Sequence, residues 1–329
     1  MRRRFLGQAI GLSLAGLVGA RVADAQQPKG KPRVAYVFIF KEGPSSPFVQ
    51  SFTDGLRKLG WVDGQNVTID VRDADGNPDK LNAIMRELVD SKVDVIVSAC
   101  TPEAKVAAKY TSTIPIVMAA GGDPVAAGLA TNYARPGANI TGISGMMLDL
   151  SGKRLAILKE AFPAITHATV LWNPERPDNV PEVKAMQDAG KTLGIRLDSQ
   201  QVRTPVELAD ALELLSTTGT QAILNAGDTL LANQAPKVIA YCANRRLPAL
   251  YESRYWVDDG GLMSYGPNLA SMHYNVARYV DKILKGAKPG DLPIQQPTKF
   301  ELVINLKTAS ALGFKIPRSV LLQADEVVR

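Results

Sequence analysis

The feature that most constrains this chain is an alternation of short apolar runs with longer amphipathic segments, and it occurs twice. Arg33–Phe40 (RVAYVFIF) is almost continuously apolar, as expected of a strand covered on both faces. Ser46-Pro47 predicts the start of a helix running to Leu59, because proline is tolerated in a first helical turn. Val67–Val71 reads as a second strand. Asn77-Pro78 opens a helix on which Leu81, Ile84, Met85, Leu88 and Val89 share one face, the spacing of an amphipathic helix. Val93–Val97 is a third strand, Thr101-Pro102 starts a third helix, and Ile114–Ala119 is a fourth strand.

Ala134–Ser144 (ARPGANITGIS) is rich in Gly and Pro and reads as a crossover, after which the alternation resumes. Strands are expected at Ala168–Trp172, Ile195–Val202, Ala222–Asn225, Ala249–Tyr251 and Gly261–Tyr265, with helices at 149–161, 179–193, 205–217, 229–245 and 269–285. Thr204-Pro205-Val206-Glu207 has the spacing of a capping box. Strand–helix alternation of this kind implies parallel sheets with helices on both faces. The expected fold is therefore α/β, with two doubly wound parallel-sheet lobes joined by hinge crossings. The N-terminal lobe takes residues 33–145 plus about 270–300, and the C-terminal lobe takes 146–269. Pro289–Pro297 is a second connector, and residues 301–329 add a strand (Phe300–Asn305), a short helix and a tail. A length of 329 residues fits two such lobes at roughly 100–200 residues each.

Residues 1–25 read as an address and not as part of the fold. Arg2-Arg3-Arg4 forms a charged start, residues 5–20 are mostly apolar, and Ala23-Asp24-Ala25 is a small-x-small cleavage pattern, together the layout of a secretory signal. The apolar run is shorter than the roughly 20 residues of a membrane span. Arg2-Arg3-x-Phe5-Leu6 also resembles a twin-arginine signal that lacks the usual Ser/Thr before the arginines. No Cys follows the run to take a lipid anchor, and residues 26–32 (QQPKGKP) look like a flexible lead-in. The expected location is a bacterial periplasm. The whole chain has a net charge of +6, half of which sits in the first 25 residues. A near-balanced body carries no nucleic-acid footprint.

In open α/β sheets ligands bind beyond the carboxyl ends of the strands, which directs attention to the strand–helix turns. Ser98-Ala99-Cys100-Thr101-Pro102 follows the third strand; its helix start suits an anion such as a carboxylate, and Thr101 serves equally well as a helix cap. Ala120-Gly121-Gly122-Asp123-Pro124 follows the fourth strand. Its glycines let a ligand approach the backbone, and Asp123 reads as a helix cap first and a ligand contact second. In the second lobe Trp172-Asn173-Pro174, Asn225-Ala226-Gly227-Asp228-Thr229, Tyr251-Glu252 and Ser264-Tyr265-Gly266 occupy the corresponding turns. Asp228 suits either a ligand ammonium or a helix cap. Tyr251, Tyr265 and Trp172 suit an aromatic guest or packing at a sheet edge.

Signals for catalysis are poor. The chain has no G-x-S-x-G elbow, P-loop, G-x-G-x-x-G turn or H-E-x-x-H. Two cysteines and two histidines (Cys100, Cys242, His167, His273) make no disulfide framework or zinc site. A secreted enzyme using Cys100 as nucleophile with His167 or His273 as base is the rival reading, because a thiol at a helix start can be acidified. Both histidines read more simply as surface or core residues, and no cofactor is called for.

Several stretches together resemble the ABC transporter substrate-binding family that includes the TrpX-like proteins. They are Leu59–Val67 (LGWVDGQNV), Thr113–Val117 (TIPIV), Gly122-Asp123-Pro124-Val125, Ala134–Gly142 (ARPGANITG), Gly261–Gly266 (GLMSYG), Pro297–Ala309 (PTKFELVINLKTA) and Ala324–Val327 (ADEV). The resemblance spans roughly residues 31–328. It implies a type I periplasmic binding protein that captures a small molecule by closure of two lobes and delivers it to an inner-membrane ABC permease with a cytoplasmic ATPase. It implies a monomer whose ligand is an amino acid or an aromatic, amino-acid-like compound. Carried over position by position, Ser98, Cys100, Thr101 and Gly121 would hold a carboxylate and Asp228 an ammonium. Asn173, Asn225 and Tyr265 are further contacts, and Phe40 and Phe48 wall the pocket. Cys100 departs from the small or hydroxyl residues common in its turn. A sensor subunit presenting its ligand to a membrane receptor would use the same cleft.

Overall fold

The computed structural model describes residues 30–329 apart from Lys41, Met146 and Pro177. The export signal read over residues 1–25 and most of the lead-in lie outside the described residues. No helix among the described residues is long and apolar enough to cross a membrane.

The first sheet is built from β1 (Arg33–Phe38), β2 (Thr68–Asp73), β3 (Val95–Ser98), β4 (Ile116–Gly121) and β5 (Ile140–Ser144), in the order β2-β1-β3-β4-β5. All four pairings are parallel. The helices α1 (Pro47–Lys58), α2 (Pro78–Asp90) and α3 (Thr101–Tyr110) connect them. Phe48, Phe52 and Leu56 of α1 pack on one face of the sheet. Leu81, Met85 and Leu88 of α2 and Ala104 and Ala107 of α3 pack on the other. The connection therefore changes sides between β1 and β3, and a crevice opens there at the carboxyl ends of the strands.

The second sheet holds β6 (His167–Trp172), β7 (Arg196–Gln201), β8 (Ile223–Asn225), β9 (Ala249–Tyr251), β10 (Met263–Pro267), β11 (Phe300–Asn305) and β12 (Glu326–Val328), in the order β12-β11-β10-β9-β8-β6-β7. Every pairing is parallel except β10 with β11. Here the reversal falls between β6 and β8. Its covering helices are α4 (Met147–Ala161), α5 (Asn179–Leu193), α6 (Pro205–Leu215), α7 (Thr229–Asn233), α8 (Ala235–Arg245) and the short α9 (Arg254–Asp258).

The chain passes between the sheets three times. It runs from β5 into α4, from β10 into α10 (Leu269–Leu284), and from residues 292–299 back into β11. Although α10 follows a strand of the second sheet, its Met272, Val276, Ala277 and Val280 pack in the first-sheet core with α1. The return segment runs beside β5, where Ser144 N–H donates to the Gln295 carbonyl (2.9 Å) and Gln295 N–H to the Gly142 carbonyl (3.0 Å). Gly142 must be glycine. Its φ is +132° and a Cβ would fall 2.1 Å from the Met118 carbonyl oxygen, so only a bare Cα allows β4 and β5 to pair.

Three sequence expectations need correction. Ile140–Ser144, expected within a crossover, is a fully buried strand at the edge of the first sheet, and its Ile140, Thr141 and Ile143 suit that state. The single helix expected over 229–245 is broken at Gln234 into α7 and α8. Pro236 explains the break, since its ring removes a donor and clashes with the carbonyl four residues back. The expected tail contains β12, which pairs with β11.

Candidate functional site

The carboxyl ends of both sheets face one another across a cavity of about 250 Å³. From the first lobe its wall takes Phe40 after β1, Ala99 and Cys100 after β3, and Ala120, Gly121 and Gly122 at the end of β4. From the second it takes Arg176 after β6, Gly227, Asp228 and Thr229 after β8, and Glu252, Ser253 and Tyr255 after β9. These are the loops that flank the two reversals of strand order, so topology alone brings them together. Phe48 of α1 and His273 of α10 close one end.

Two chemistries share this wall, with the Glu42 carboxylate on the aromatic side. The aromatic part is continuous. The Phe48 ring lies 4.7 Å from the Tyr255 ring and 4.3 Å from the His273 ring, and Phe40 meets Phe38 edge-on at 5.7 Å. Phe48 belongs to the first lobe and Tyr255 to the second, so the lobes touch through these rings. They also meet at Gly122, where a Cβ would fall 1.9 Å from Asp178 Oδ2.

The charged part centres on Arg176 and Asp228. Arg176 pairs with Asp178 at 2.8 Å. Burial lowers the pKa of its guanidinium, but Asp178 and Asp228 outweigh that effect and leave it above its ordinary value. Asp228 N-caps α7, with Oδ1 accepting from Leu231 N–H at 3.1 Å, while Oδ2 accepts from Asn173 Nδ2 at 3.2 Å. Burial raises its carboxyl pKa, against the pull of Arg176 and these hydrogen bonds. Glu252 accepts from Trp256 Nε1 (3.0 Å) and from Asn225 Nδ2, and burial pushes it up to about 7. Burial also raises Glu42, which lines the first-lobe side.

Of the residues singled out from sequence as ligand contacts, Phe40, Phe48, Cys100, Gly121, Gly122 and Asp228 line the cavity. The others do not, each for a local reason. Ser98 is fully buried at the end of β3. Thr101 Oγ1 accepts from Gly122 N–H at 2.8 Å and ties the two first-lobe loops together. Asp123 caps a turn through Val125 N–H (2.8 Å) and Ala126 N–H (3.1 Å). Asn173 and Asn225 stand behind the wall and orient Asp228 and Glu252. Tyr251 is stacked on Trp256 at 4.5 Å in the α6–α8 side of the core, and Tyr265 packs against the opposite side.

Sequence reading missed Arg176, Glu252, Tyr255 and His273 as wall residues. Arg176 and Glu252 obey the strand-end rule and lie one or a few residues beyond the positions chosen. Tyr255 and His273 come from helices, where only the packing of α9 and α10 identifies them.

The site is poorly arranged for a thiol nucleophile. Burial and the Glu103 carboxylate push the Cys100 thiol pKa well up, while burial pushes His273 down to about 3. A thiol that holds its proton, in a cavity whose imidazole refuses one, gives no thiolate near neutrality. Cys100 and Cys242 are both free. Among the described residues no group of His, Cys, Asp and Glu is placed to hold a metal ion.

A family model described as "ABC transporter substrate binding protein" matches residues 34–328. A tyrosine-binding protein of Clostridioides difficile is 27% identical over 268 residues, covering 81% of this chain and 76% of the relative. Among solved structures, a Streptococcus pneumoniae ABC domain in complex with L-Trp superposes with a TM-score of 0.84 at 25% identity, covering 91% of this chain and all of the other. A conserved domain protein from Vibrio cholerae gives 0.83 at 28% identity, covering 90% and 99%.

Proposed function

We propose that this chain, which belongs to the ABC transporter substrate-binding protein family, captures an aromatic amino acid between its lobes and delivers it to an inner-membrane permease. Its family and structural neighbours are solute-binding proteins, not enzymes. The observation that carries the ligand class is the wall of the cavity, which joins aromatic rings to a pair of opposite charges. Rings from Phe40, Phe48 and Tyr255 form one part, and a half-buried cation, Arg176, stands near a buried anion, Asp228, in the other. A zwitterion with a flat apolar side chain complements both parts. The C. difficile relative is named for tyrosine and the S. pneumoniae structure holds L-Trp, which supports the same class.

In this reading the ligand ammonium is held by Asp228 and its carboxylate by Arg176. The first-lobe amides expected from sequence are in part already used, since Cys100 N–H donates to Glu103 at 3.1 Å and Gly122 N–H to Thr101. The ring lies against the edge that Phe48 and Tyr255 form where they meet, so the ligand touches both lobes. Closure is favoured only by contacts the closed form alone makes with the guest. Export through residues 1–25 would place the mature monomer in the periplasm, where a permease powered by a cytoplasmic ATPase takes the ligand.

A thermal-shift screen over amino acids, aromatic acids and nucleosides tests this. Ligand that binds only the folded state raises the melting temperature with concentration. A rise is expected with L-tyrosine or L-tryptophan and none with aliphatic or acidic amino acids. A rise with a different solute class and none with aromatic amino acids would overturn the assignment.

A further inference from the structure

We propose that His273 reads an oxygen atom on the ligand's ring, making the site selective for a phenol over a plain benzyl side chain. The inference rests on the reading that the cavity takes an aromatic amino acid. His273 is 2% exposed and lines the cavity from α10. Its ring stands 4.3 Å from Phe48 and 5.9 Å from Tyr36, so it belongs to the aromatic part of the wall and not to the charged part.

Its protonation pattern follows from its neighbours. Nδ1 is hydrogen-bonded to the Tyr36 hydroxyl. Tyr36 is fully buried, and among the described residues its hydroxyl has no other partner. A hydroxyl that only accepted from Nδ1 would leave its own hydrogen buried without a partner, so the arrangement that pairs every proton has Tyr36 donating to Nδ1. Burial keeps the imidazole neutral, with its pKa pushed down to about 3. A neutral imidazole that accepts at one nitrogen carries its proton on the other. Nε2–H is therefore the donor.

No described residue accepts from Nε2, yet Nε2 is not among the side-chain nitrogens and oxygens sealed off without a partner. In a residue this buried, the open space it meets is the cavity. The site thus holds a fixed donor among rings, which fits an acceptor oxygen on the guest's ring. A benzyl group would leave that donor unpaired, and an indole would present N–H to N–H. Tyr36 acts through His273 as a positioning residue, because it fixes which nitrogen donates.

The test is calorimetric affinity for L-tyrosine, L-phenylalanine and L-tryptophan on the mature chain. The unaltered protein should prefer tyrosine to phenylalanine by about 10- to 100-fold, the effect of one buried hydrogen bond made or left unmade. His273→Phe should bring that ratio to within about threefold, chiefly by loss of tyrosine affinity. His273→Gln, which retains an N–H donor, should restore part of it. Tyr36→Phe removes a single hydroxyl, so it serves if the His273 variants do not fold, and it should lower the ratio as well. A ratio near one in the unaltered protein overturns the inference, as does a parallel loss of both ligands in His273→Phe or an unmoved ratio in Tyr36→Phe. Binding by none of the three ligands removes the aromatic reading and this inference with it.

Discussion

Asp228 shows how one residue serves fold and site together. Its Oδ1 caps α7 while its carboxylate lines the cavity, so the two alternatives read from sequence are compatible. Substitutions separate them. Asp228→Asn keeps a good cap and removes the charge, so ligand affinity should fall by about 30-fold or more, the cost of stripping a buried ion of its partner. The melting temperature of the free protein should hardly change. Asp228→Ala should lower both, costing about 1 kcal/mol of stability for the lost cap.

Glu252 and His273 make opposite contributions to stability against pH. Glu252 is raised from 4.5 to about 7 in the folded chain, so the folded state binds its proton more tightly and stability falls as pH rises between those values. His273 is lowered from 6.5 to about 3, so its contribution is lost as pH falls through that range. Melting curves of ligand-free Glu252→Gln against the unaltered protein should show the variant gaining ground as pH rises from 4.5 to 7. A constant gap would contradict the shift. The amide can accept from Trp256 and donate to Asn225 Oδ1, which has no partner among the described residues.

What sequence could not give at this scale is parity. Tyr251 and Glu252 are adjacent, yet one is stacked in the core and the other meets the cavity. Alternation along a strand sends neighbours to opposite sides, and a three-residue strand gives too little pattern to say which is which.

At the scale of elements, helix starts were legible because proline and a capping side chain stand together. Ser46 Oγ, Asn77 Oδ1 and Thr204 Oγ1 each accept from the first turn of the helix expected there. Strands buried on both faces were legible as apolar runs. Ile140–Ser144 was not, since five residues after a Gly/Pro stretch carry no period. Nor could sequence foresee that α10 leaves the second sheet to lie on α1. That contact is close: a Cβ on Gly55 would fall 2.3 Å from the Tyr274 carbonyl oxygen. Gly55→Ala must push the two helices apart, and about 1–3 kcal/mol of destabilisation is expected from overpacking of this kind, measured as a lower denaturant midpoint. Because α10 carries His273, ligand affinity should fall with it.

For the whole molecule, two sheets with matching reversals of strand order place their open ends face to face. The repeated alternation in the sequence foretold this arrangement, whereas the residues that meet across the gap could be found only from the assembled fold. Gly122 is one of them. A methyl there would lie 1.9 Å from Asp178 Oδ2 of the facing lobe, a carboxylate held in place by Arg176. Gly122→Ala should hinder closure without harming either lobe. Ligand affinity should fall about tenfold or more, equivalent to at least 1.4 kcal/mol, while the unfolding midpoint of the free protein stays put. A loss of stability equal to the loss of affinity would place the damage inside the lobe.

Closure around a guest is the claim on which the rest depends, and small-angle X-ray scattering of the mature chain with and without saturating L-tyrosine tests it most directly. The account predicts that ligand shrinks the radius of gyration and brings the scattering curve onto the one calculated from the structure described above. A radius unchanged by tyrosine, in a sample whose binding is verified by calorimetry, would contradict it.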